Sequence, residues 1–414
     1  MTIKLAPAVR FPGFTDVWEQ RNILEISKVF IGLVTTMTEN YRNEGTLLIR
    51  NSDIKENRFE FSDNPIHLDE AFAENNSSRR LIIGDVITIH TGDIGTSAVI
   101  GEREDGAIGF ATINTRPNQD VLDSNYLSTY FNTEKHKNYA IKVSTGDGRS
   151  NYNLKDFNRL SVPLPLLDEQ KKIGFFFKQL NDTIALHQRE LDNLKITKQV
   201  FMKKMFPKEG EKVPEVRFPG FMADWDYRKL GDVGETYTGL SGKSKDDFGH
   251  GRGKYVTYMN VFSNSIANPS LVELVEIDTK QNEVNPGDIF FTTSSETPEE
   301  VGMSSVWLEN SDNTYLNSFC FGYRPIEKFD NYYLAYMLRS SVVRKKITFL
   351  AQGISRYNIS KNKVMDIAVP IPVIEEQTKI GEFFKQLDDI INLQQQELEK
   401  LKQTKQAFLQ KMFI

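Results

Sequence analysis

The chain has 414 residues, a formal net charge of −5 and a pI of about 5.8. This length predicts two or three domains of ordinary size, and 39% hydrophobic with 26% charged residues is typical of a globular protein. No apolar run reaches the ~18 residues of a membrane span, the first residues lack a signal-peptide core, and the single cysteine, Cys320, excludes an intramolecular disulfide and a cysteine-rich metal site, so we expect a cytoplasmic protein.

The first recognisable element is a short opening motif, VRFPGF at 9–14, which is followed by Trp18. The same motif returns at 216–221, followed by Trp225, at an offset of 207 residues. A fixed offset is the signature of an internal repeat. The chain is therefore two tandem units, each with an opening, a middle and a closing segment.

The closing segments are the most similar parts of the two repeats. Residues 162–206 align without a gap to 369–413, again at an offset of 207, with 28 of 45 positions identical. The middles keep only short echoes, such as GDV at 84–86 against GDI at 287–289. Drift after a gene duplication should erode ends and middles alike. We therefore infer that the ends meet a common partner and the middles meet different targets.

The first closing segment predicts one long helix over 168–205, with Asp168 as its N-cap and Pro207 after its end. Its core positions alternate at spacings of four and three, the 3.5-residue period of a coiled coil. This ladder runs Ile173, Phe177, Leu180, Ile184, His187, Leu191, Leu194, Lys198, Phe201, Met205. The second copy runs from Ile380 to Met412, with Gln394 and Lys405 at the matching polar positions. Polar residues there can fix register, although a solvated position is the alternative.

Neither helix can bury its apolar stripe alone, and pairing the two within one chain is the economical solution. We expect an α+β chain in which two mixed α/β heads are separated by two long helices. The helices would form an intramolecular antiparallel coiled coil with pseudo-two-fold symmetry. The predicted boundaries are 1–160 for the first head, 161–207 for the first helix, 208–367 for the second head and 368–414 for the second helix.

The order head, helix, head, helix resembles the specificity subunits of type I restriction–modification systems, and the resemblance covers the whole chain. It is carried by the lead-in V-P-[LI]-P-x-x-x-E-Q-x-K-I, which occurs at 162–173 and 369–380. Gly-Asp before a strand, at 84–85 and 287–288, is similar to the family, as is Gly353-Ile354-Ser355-Arg356. The first head departs there, because its counterpart Gly148-Arg149-Ser150-Asn151 implies a two-residue difference in length.

The resemblance implies that each head is a target-recognition domain that reads one half of a bipartite, asymmetric double-stranded DNA site. It also implies two methyltransferase subunits bound around the repeated ends and restriction (nuclease–translocase) subunits bound to those, with no membrane partner. Catalysis would belong to the partners. No cofactor is expected in this chain; S-adenosylmethionine would serve the methyltransferase, and ATP and Mg²⁺ the nuclease.

Base reading needs hydrogen-bonding side chains on positioned loops, and phosphate anchoring needs Lys and Arg. In the first head the candidates are Arg42, Arg50, Asn51, Arg79, Arg80, His90, Thr91, Arg149, Asn151 and Tyr152. In the second head, a flexible glycine-rich loop at 239–254 and later segments supply Lys243, Lys245, Arg252, Lys254, Tyr258, Asn260, Thr292, Ser294, Ser295, Ser355, Arg356, Tyr357 and Asn358. Any one of these alone fits a solvated surface, and the net negative charge argues mildly against DNA binding. Their recurrence at strand ends in both heads favours a binding face.

Two other classes of function fit the sequence less well. An enzyme is disfavoured because Gly239–Ser244 lacks the first P-loop glycine, where Tyr237 stands, and because NPIH at 64–67 and NPSL at 268–271 do not supply an adenine-methyltransferase Asn-Pro-Pro-aromatic motif. The five histidines are scattered singly, without metal-ligand spacing. The other alternative is a coiled-coil protein-interaction scaffold that does not read DNA. Salt-dependent DNA binding would discriminate it from a DNA reader.

Overall fold

The computed structural model describes residues 6–35, 37–145 and 150–413, and the chain divides into two compact units. Unit 1 contains residues 1–189 together with 396–414, and unit 2 contains residues 190–395. Each unit therefore combines one head with parts of both closing segments. No helix in the described ranges is long and apolar enough to cross a membrane.

The elements of unit 1 are short strands and helices followed by one long helix. Its strands are β1 (Glu19–Asn22), β2 (Ser27–Ile31), β3 (Tyr41–Arg42), β4 (Thr46–Arg50), β5 (Ile54–Lys55), β6 (Arg58–Phe59), β7 (His67–Leu68), β8 (Val86–Ile89), β9 (Ser97–Val99), β10 (Ile108–Phe110), β11 (Thr112–Pro117) and β12 (Ser161–Leu164). Its helices are α1 (Ile23–Ile26), α2 (Glu70–Asn75), α3 (Ser124–Phe131), α4 (Glu134–Val143), α5 (Leu154–Phe157) and α6 (Leu167–Lys204), of which the last part belongs to unit 2. Single 3₁₀ turns lie at Thr38–Asn40, Asn51–Asp53, Ser77–Arg79 and Glu102–Glu104.

An antiparallel sheet of order β2-β11-β8-β9 is central to unit 1. Strand β8 has the sequence VITI and is buried along its whole length, because α3 packs on one side of it. A second sheet of order β10-β4-β7-β3 contains the parallel pair β4 and β10. Strands β1 and β12 pair with each other and bring the start of the head to the lead-in of α6.

Unit 2 is built from a corresponding set of elements. Its strands are β13 (Asp226–Lys229), β14 (Gly234–Thr238), β15 (Phe248–Val256), β16 (Val272–Val275), β17 (Ile289–Thr292), β18 (Ser294–Ser295), β19 (Ser304–Val306), β20 (Thr314–Leu316), β21 (Cys320–Pro325), β22 (Tyr357–Asn358) and β23 (Ala368–Ile371). Its helices are α7 (Tyr258–Ser263), α8 (Asn331–Arg339), α9 (Ser341–Phe349), α10 (Lys361–Met365) and α11 (Ile374–Met412), of which the last part belongs to unit 1. Single 3₁₀ turns lie at Leu230–Asp232 and Lys245–Asp247.

The sheets of unit 2 repeat those of unit 1 despite the divergent sequence. The central sheet has the order β14-β21-β17-β19, which corresponds strand for strand to β2-β11-β8-β9. A second sheet, β16-β15-β20, again contains a parallel pair, β15 with β20. Strands β13 and β23 pair as β1 and β12 do. The two heads are thus one framework with different surfaces.

In each unit, the aspartate of the shared Gly-Asp sequence is buried and forms an ion pair with a partly exposed arginine. Asp85, just before β8, accepts hydrogen bonds from Nε and Nη2 of Arg116 on β11 at 2.8 and 2.7 Å. Asp288, just before β17, accepts the same two bonds from Arg324 on β21, also at 2.8 and 2.7 Å. A bidentate pair of this kind fixes the lateral position of neighbouring strands. Short sequence echoes therefore mark framework positions.

The long helices lie where the sequence predicts them. Helix α6 begins at Leu167, one residue before the predicted start, so Asp168 lies in its first turn and the prediction of an N-cap there is wrong. In unit 1, Phe176 packs edge-on against Phe408 at 5.1 Å between ring centroids, and Lys402 Nζ lies 3.4 Å from Gln188 Oε1. The two helix segments run antiparallel where they touch in this unit.

Unit 2 shows the same kind of helix contact. Phe201 packs edge-on against Phe383 at 5.1 Å, and Gln394 Nε2 donates to Glu190 Oε2 at 2.9 Å. The lysines that interrupt the two ladders are ion-paired, Lys198 with Asp388 in unit 2, and Lys405 with Glu56 of the β5–β6 turn in unit 1. The two lysines occupy matching positions of the repeats, but the carboxylates that pair with them come from different elements.

A buried ion pair joins each opening motif to the first turn of the long helix. The Glu169 side chain is 1% exposed and accepts from Nε and Nη2 of Arg10 at 2.8 and 2.6 Å, and from Nε1 of Trp18 at 3.2 Å. In unit 2, Glu376 accepts from Nε and Nη2 of Arg217 at 2.6 and 2.8 Å. These bonds explain why VRFPGF and the Glu of the lead-in recur at one offset.

The following residues of the lead-in hold the helix at the centre of each head. Gln170 Oε1 accepts from the backbone N–H of Asp123, which caps α3, at 3.0 Å. A glycine then lets α3 approach the long helix closely, because a Cβ at Gly174 would lie 2.5 Å from Asp123 Oδ1 and 2.7 Å from the backbone nitrogen of Tyr126. Gly381 in unit 2 is equally crowded by the cap of α8.

We predict that Gly174→Ala destabilises unit 1 by about 1–3 kcal/mol. Alanine normally stabilises a helix interior relative to glycine by up to about 1 kcal/mol, but here the added methyl group would press on backbone and cap atoms. Chemical unfolding followed by near-UV circular dichroism would measure the effect. The control, Thr183→Ala on an exposed position of the same helix, should change stability by less than about 0.5 kcal/mol. An unchanged or raised midpoint for Gly174→Ala would contradict the close packing.

Candidate nucleic-acid interface

In unit 1, residues predicted from three separate segments meet at the end of β8. Asn51 Nδ2 donates to the carbonyl oxygen of Thr91 at 3.1 Å, and Thr91 Oγ1 donates to Asn151 Oδ1 at 2.8 Å. His90 Nδ1 lies 2.8 Å from Thr91 Oγ1. We call Asn51, His90, Thr91 and Asn151 the strand-end cluster of unit 1. Its members are partly exposed and still offer polar atoms to a ligand.

In unit 2, the corresponding strand end also gathers predicted residues. Ser294 and Ser295 form β18 and pair antiparallel with Asn358 and Tyr357 of β22. Tyr258 Oη donates to the carbonyl oxygen of Ser294 at 2.7 Å. The positive charge of Arg356 also acts on Tyr258, whose pKa is raised mainly by burial. The strand-end cluster of unit 2 consists of Tyr258, Ser294, Ser295, Arg356, Tyr357 and Asn358.

The two clusters are supported at the same point by different side chains. Asn51 follows β4 and Tyr258 follows β15, the two strands that form the parallel pairs. Each donates to the carbonyl oxygen of the second residue after the central strand, Thr91 or Ser294. They are positioning residues, since these hydrogen bonds hold the loop that carries the cluster.

The hairpin before α5 and α10 corrects the alignment made from the sequence. Backbone N–H groups and carbonyls are exchanged between Thr145 and Asn151 in unit 1, and between Gln352 and Asn358 in unit 2. Both pairs are offset by 207 residues, so the predicted two-residue difference in length is wrong. Arg149 then matches Arg356 in the sequence. The predicted DNA contact at Arg149 lies outside the described residues.

Several predicted arginines of unit 1 are bonded within the head. Arg79 donates to the carbonyl oxygens of Ile31 and Gly32 at 2.7 and 2.6 Å. The remaining three pair with carboxylates: Arg80 with Glu70 at 2.7 Å, Arg50 with Asp53 at 2.9 Å, and Arg42 with Asp69 at 3.3 Å. Arg79 and Arg80 brace loops, so their guanidinium groups are committed elsewhere than to a ligand.

Three other predicted residues are fully buried. Tyr152 Oη lies 3.3 Å from His136 Nε2, and Asn260 Nδ2 donates to the carbonyl oxygens of Asn268 and Leu271 at 2.8 and 2.9 Å. Thr292 Oγ1 accepts from the backbone N–H of Met303 at 3.0 Å. A direct contact between these side chains and DNA does not fit their burial. They support the loops from inside.

The glycine-rich loop of unit 2 is more ordered than the sequence suggests. Residues Phe248–Val256 form β15, with a register shift between Phe248 and Gly253, so the prediction of a flexible loop through 254 is wrong there. Lys243 pairs with Asp278 at 3.0 Å. Other predicted polar residues are exposed and form no ion pair within the described ranges; these are Lys245, Arg252, Lys254 and Ser355.

Sequence reasoning passed over the apolar residues near the cluster of unit 2. Met259, Phe319 and Ile354 are large and exposed. In the sequence, each of the three lies beside a polar residue at a strand end or in a turn. This placement is the sequence pattern from which their exposure could have been predicted.

Histidine environments differ sharply within the chain. Burial lowers the pKa of His90 and lowers that of His136 to about 4. By contrast, the pKa of His250 is raised by hydrogen bonds to the backbone carbonyl of Asp246 and to Glu276, at 2.6 and 2.9 Å. His90, in the strand-end cluster of unit 1, is therefore harder to protonate than His250. Among the described residues, no group of three or more His, Cys, Asp or Glu is placed to hold a metal ion.

A comparison of the sequence with protein-family models identifies both repeats. The model described as the type I restriction modification DNA specificity domain matches residues 16–195 and again 222–403. The chain belongs to the type I restriction–modification specificity subunits. The resemblance drawn from the repeated lead-in is thereby confirmed.

Individual relatives of the specificity-subunit family agree over nearly the whole chain. The putative type I restriction enzyme MjaX specificity subunit of Methanocaldococcus jannaschii is 23% identical over 412 residues, covering 95% of this chain and 92% of the relative. The solved S subunit of the type I restriction–modification system of M. genitalium has a TM-score of 0.62 at 13% identity, covering 99% of each chain. A chain from a structure addressing complex assembly and conformational transition of the type I R-M system has a TM-score of 0.51 at 19% identity, covering 99% and 98%. These structural likenesses show the fold.

Membership of the family carries a role in DNA recognition and interaction with DNA and with the other restriction–modification subunits. Specificity subunits are generally non-catalytic.

We predict that NMR titration will give pKa values in the order His136, His90, His250, with His90 below and His250 above the ordinary 6.5. The bonds to His250 stabilise the fold below its unfolded pKa, and this contribution is lost as the pH rises through its folded pKa. For His90 and His136 the sign is opposite, and stability falls as the pH drops below about 6.5. Signals would be assigned with the His90→Asn and His250→Asn variants. A His90 pKa above that of His250 would contradict the burial described.

Proposed function

We propose that the chain is the DNA-reading subunit of a type I restriction–modification complex, with one unit for each half of a bipartite, asymmetric site. The observation that supports this is a matched framework with unmatched strand-end clusters. The units share sheet order and the Asp–Arg pair. The cluster of unit 1 offers partly exposed Asn, His and Thr side chains, whereas that of unit 2 offers Tyr, Arg and Asn around the buried Ser294 and Ser295. Different side chains at one place would read different bases.

Three exposed cations of unit 2 support contact with DNA. Arg252 and Lys254 are exposed on β15, and Arg356 is exposed beside Tyr258. None of the three forms an ion pair within the part of the chain that is described. Phosphate contacts need such unneutralised charges. They offer a local positive surface on a chain whose net charge is −5.

We further propose that α6 and α11 form an intramolecular antiparallel coiled coil with pseudo-two-fold symmetry, which fixes the spacing of the two half-sites. Support comes from the aromatic contacts inside each unit, Phe176 with Phe408 and Phe201 with Phe383. The repeated 3.5-residue ladder is the sequence pattern of such pairing. In this proposal, residues 1–160 and 208–367 are target-recognition domains, and 161–207 and 368–414 are the conserved helices.

The repeated ends would bind two methyltransferase subunits, which in turn would bind the restriction subunits. Support comes from exposed apolar residues that recur at the offset of 207 on the helices, Leu186 and Leu393. S-adenosylmethionine would be held by the methyltransferase, and ATP and Mg²⁺ by the nuclease–translocase, with no cofactor in this chain. The complex would act on DNA in the cytoplasm.

We predict that Arg356→Ala weakens recognition of the second half-site by about 1–3 kcal/mol, because an arginine that contacts a base pair contributes about that much discrimination. The measurement is a map of methylated adenines in cells that contain this chain and its methyltransferase. The first half-site should be unchanged. Arg149→Ala, at the matching position of the sequence, should produce the mirror result.

The control for this experiment is Arg228→Ala, which removes a cation on β13 that is paired with Glu327 and lies outside the cluster. It should leave both half-sites as they are. Replacement of residues 20–155 by the head of another specificity subunit should likewise change one half-site only. A simultaneous change of both half-sites would refute the model of independent readers.

The coiled-coil proposal predicts that cysteines introduced by Ile173→Cys and Met412→Cys crosslink within one chain. Both side chains are buried in the core of unit 1. Non-reducing electrophoresis after mild oxidation should show a monomer of altered mobility. Ile173→Cys with Leu387→Cys places the second thiol in unit 2 and should not crosslink. Crosslinking only between chains would rule out the intramolecular pairing.

A further inference from the structure

Three large apolar side chains are exposed around the strand-end cluster of unit 2. Ile354 is 95% exposed, Met259 60% and Phe319 58%. Single exposed apolar residues are common on protein surfaces, but several around one polar site indicate a contact surface. The hydrogen bonds that anchor the three segments bring these side chains to the same strand end.

Hydrogen bonds tie the first turn of α7 and the loop before β21 to the end of β17. Met259 of α7 follows Tyr258, whose Oη donates to the carbonyl oxygen of Ser294 at 2.7 Å. The carbonyl oxygen of Phe319 accepts from the backbone N–H of Thr293 at 3.0 Å. Residues 293 and 294 are adjacent, so the helix and the loop are anchored to neighbouring residues.

The third side chain is carried by the hairpin that closes the cluster. Ile354 lies in the turn between Gln352 and Asn358, whose backbones exchange N–H···O bonds of 2.9 Å. Asn358 also pairs with Ser294. The three apolar residues therefore belong to segments that are hydrogen-bonded to the end of one strand, β17: Met259 to α7, Phe319 to the loop before β21 and Ile354 to the hairpin turn.

Unit 1 lacks this apolar group. The register of the central strands matches Phe319 with Ala111, since Cys320 pairs with Thr292 as Thr112 pairs with Ile89. Met259, the residue after Tyr258, matches the residue after Asn51. By the sequence offset of 207, Ile354 matches Asp147, which lies outside the described residues. The counterparts of the three apolar residues are Ser52, Ala111 and Asp147.

We infer that unit 2 recognises the 5-methyl group of a thymine in its half-site through Met259, Phe319 and Ile354. The thymine methyl group is the apolar feature that base edges display in the major groove of DNA. Apolar side chains that flank hydrogen-bonding residues are suited to read it, whereas Ser52, Ala111 and Asp147 of unit 1 offer no large apolar side chain. The inference rests on the proposed function and specifies the second half-site.

The experiment replaces every thymine of one half-site with deoxyuracil, which keeps the base-pairing groups and removes only the methyl. Binding of the chain, assembled with its methyltransferase subunits, is measured on duplexes that contain the mapped target. Deoxyuracil in the second half-site should weaken binding about four-fold for each contacted methyl. Deoxyuracil in the first half-site should change binding by less than about two-fold.

A matched pair of variants identifies the residues responsible. Ile354→Ser should weaken binding to thymine-containing DNA and reduce the effect of deoxyuracil in the second half-site. The control, Ile326→Ser, removes an apolar side chain that is 62% exposed just beyond the opposite end of β21, and it should behave like the unaltered chain.

Specific binding that is indifferent to deoxyuracil in the second half-site would overturn the inference and leave the proposed function intact. A second half-site composed only of G·C pairs would do the same. Loss of affinity in Ile354→Ser without sensitivity to the methyl group would instead indicate a side chain wedged between base steps. Absence of any sequence-specific binding by the assembled complex would overturn the proposed function and the inference together.

Discussion

The buried carboxylates of Glu169 and Glu376 are the attachments on which each unit depends. Burying an unpaired charge costs several kcal/mol. The buried carboxylates therefore need cationic partners, and Glu169 forms an ion pair with Arg10 as Glu376 does with Arg217. Each pair binds the opening motif to the start of a long helix. The neighbouring glutamine and glycine then fix the helix at the centre of the head. Because these attachments are local and repeated, the rest of each head can diverge without loss of its position.

This division explains how one framework carries two binding surfaces. The central sheets keep their strand order, and they keep the Asp–Arg pair at the start of β8 and β17, whereas the clusters lie beyond the other end of these strands. At the cluster itself, even the side chain that supports the post-strand loop differs, Asn51 in one unit and Tyr258 in the other. Conserved geometry with variable chemistry is what a family that must read many DNA sequences requires.

The periodic parts of the chain were predictable because their physical signal is local. The helices follow from a 3.5-residue ladder, and the repeat follows from a constant offset. The individual site residues were harder, because their environment depends on distant atoms. Arginine is a residue type that commonly contacts DNA, but the guanidinium group of Arg79 donates to the carbonyl oxygens of Ile31 and Gly32, which are far away in the sequence. Hydropathy likewise could not separate the fully buried Tyr152 from the partly exposed Tyr258 and Tyr357. DNA contact by the exposed cluster residues stays a prediction.

The composition of the units has a consequence for biosynthesis. Unit 2 is continuous, but unit 1 needs residues 396–414, which include the Lys411 carbonyl bonded to Val9 and the Phe413 ring stacked on Tyr126. The ribosome synthesises the chain from the N-terminus to the C-terminus, so the first head emerges first. The first head to leave the ribosome is therefore the last to be completed, and the aromatic core around Trp18 stays open until the final helical turns have been synthesised.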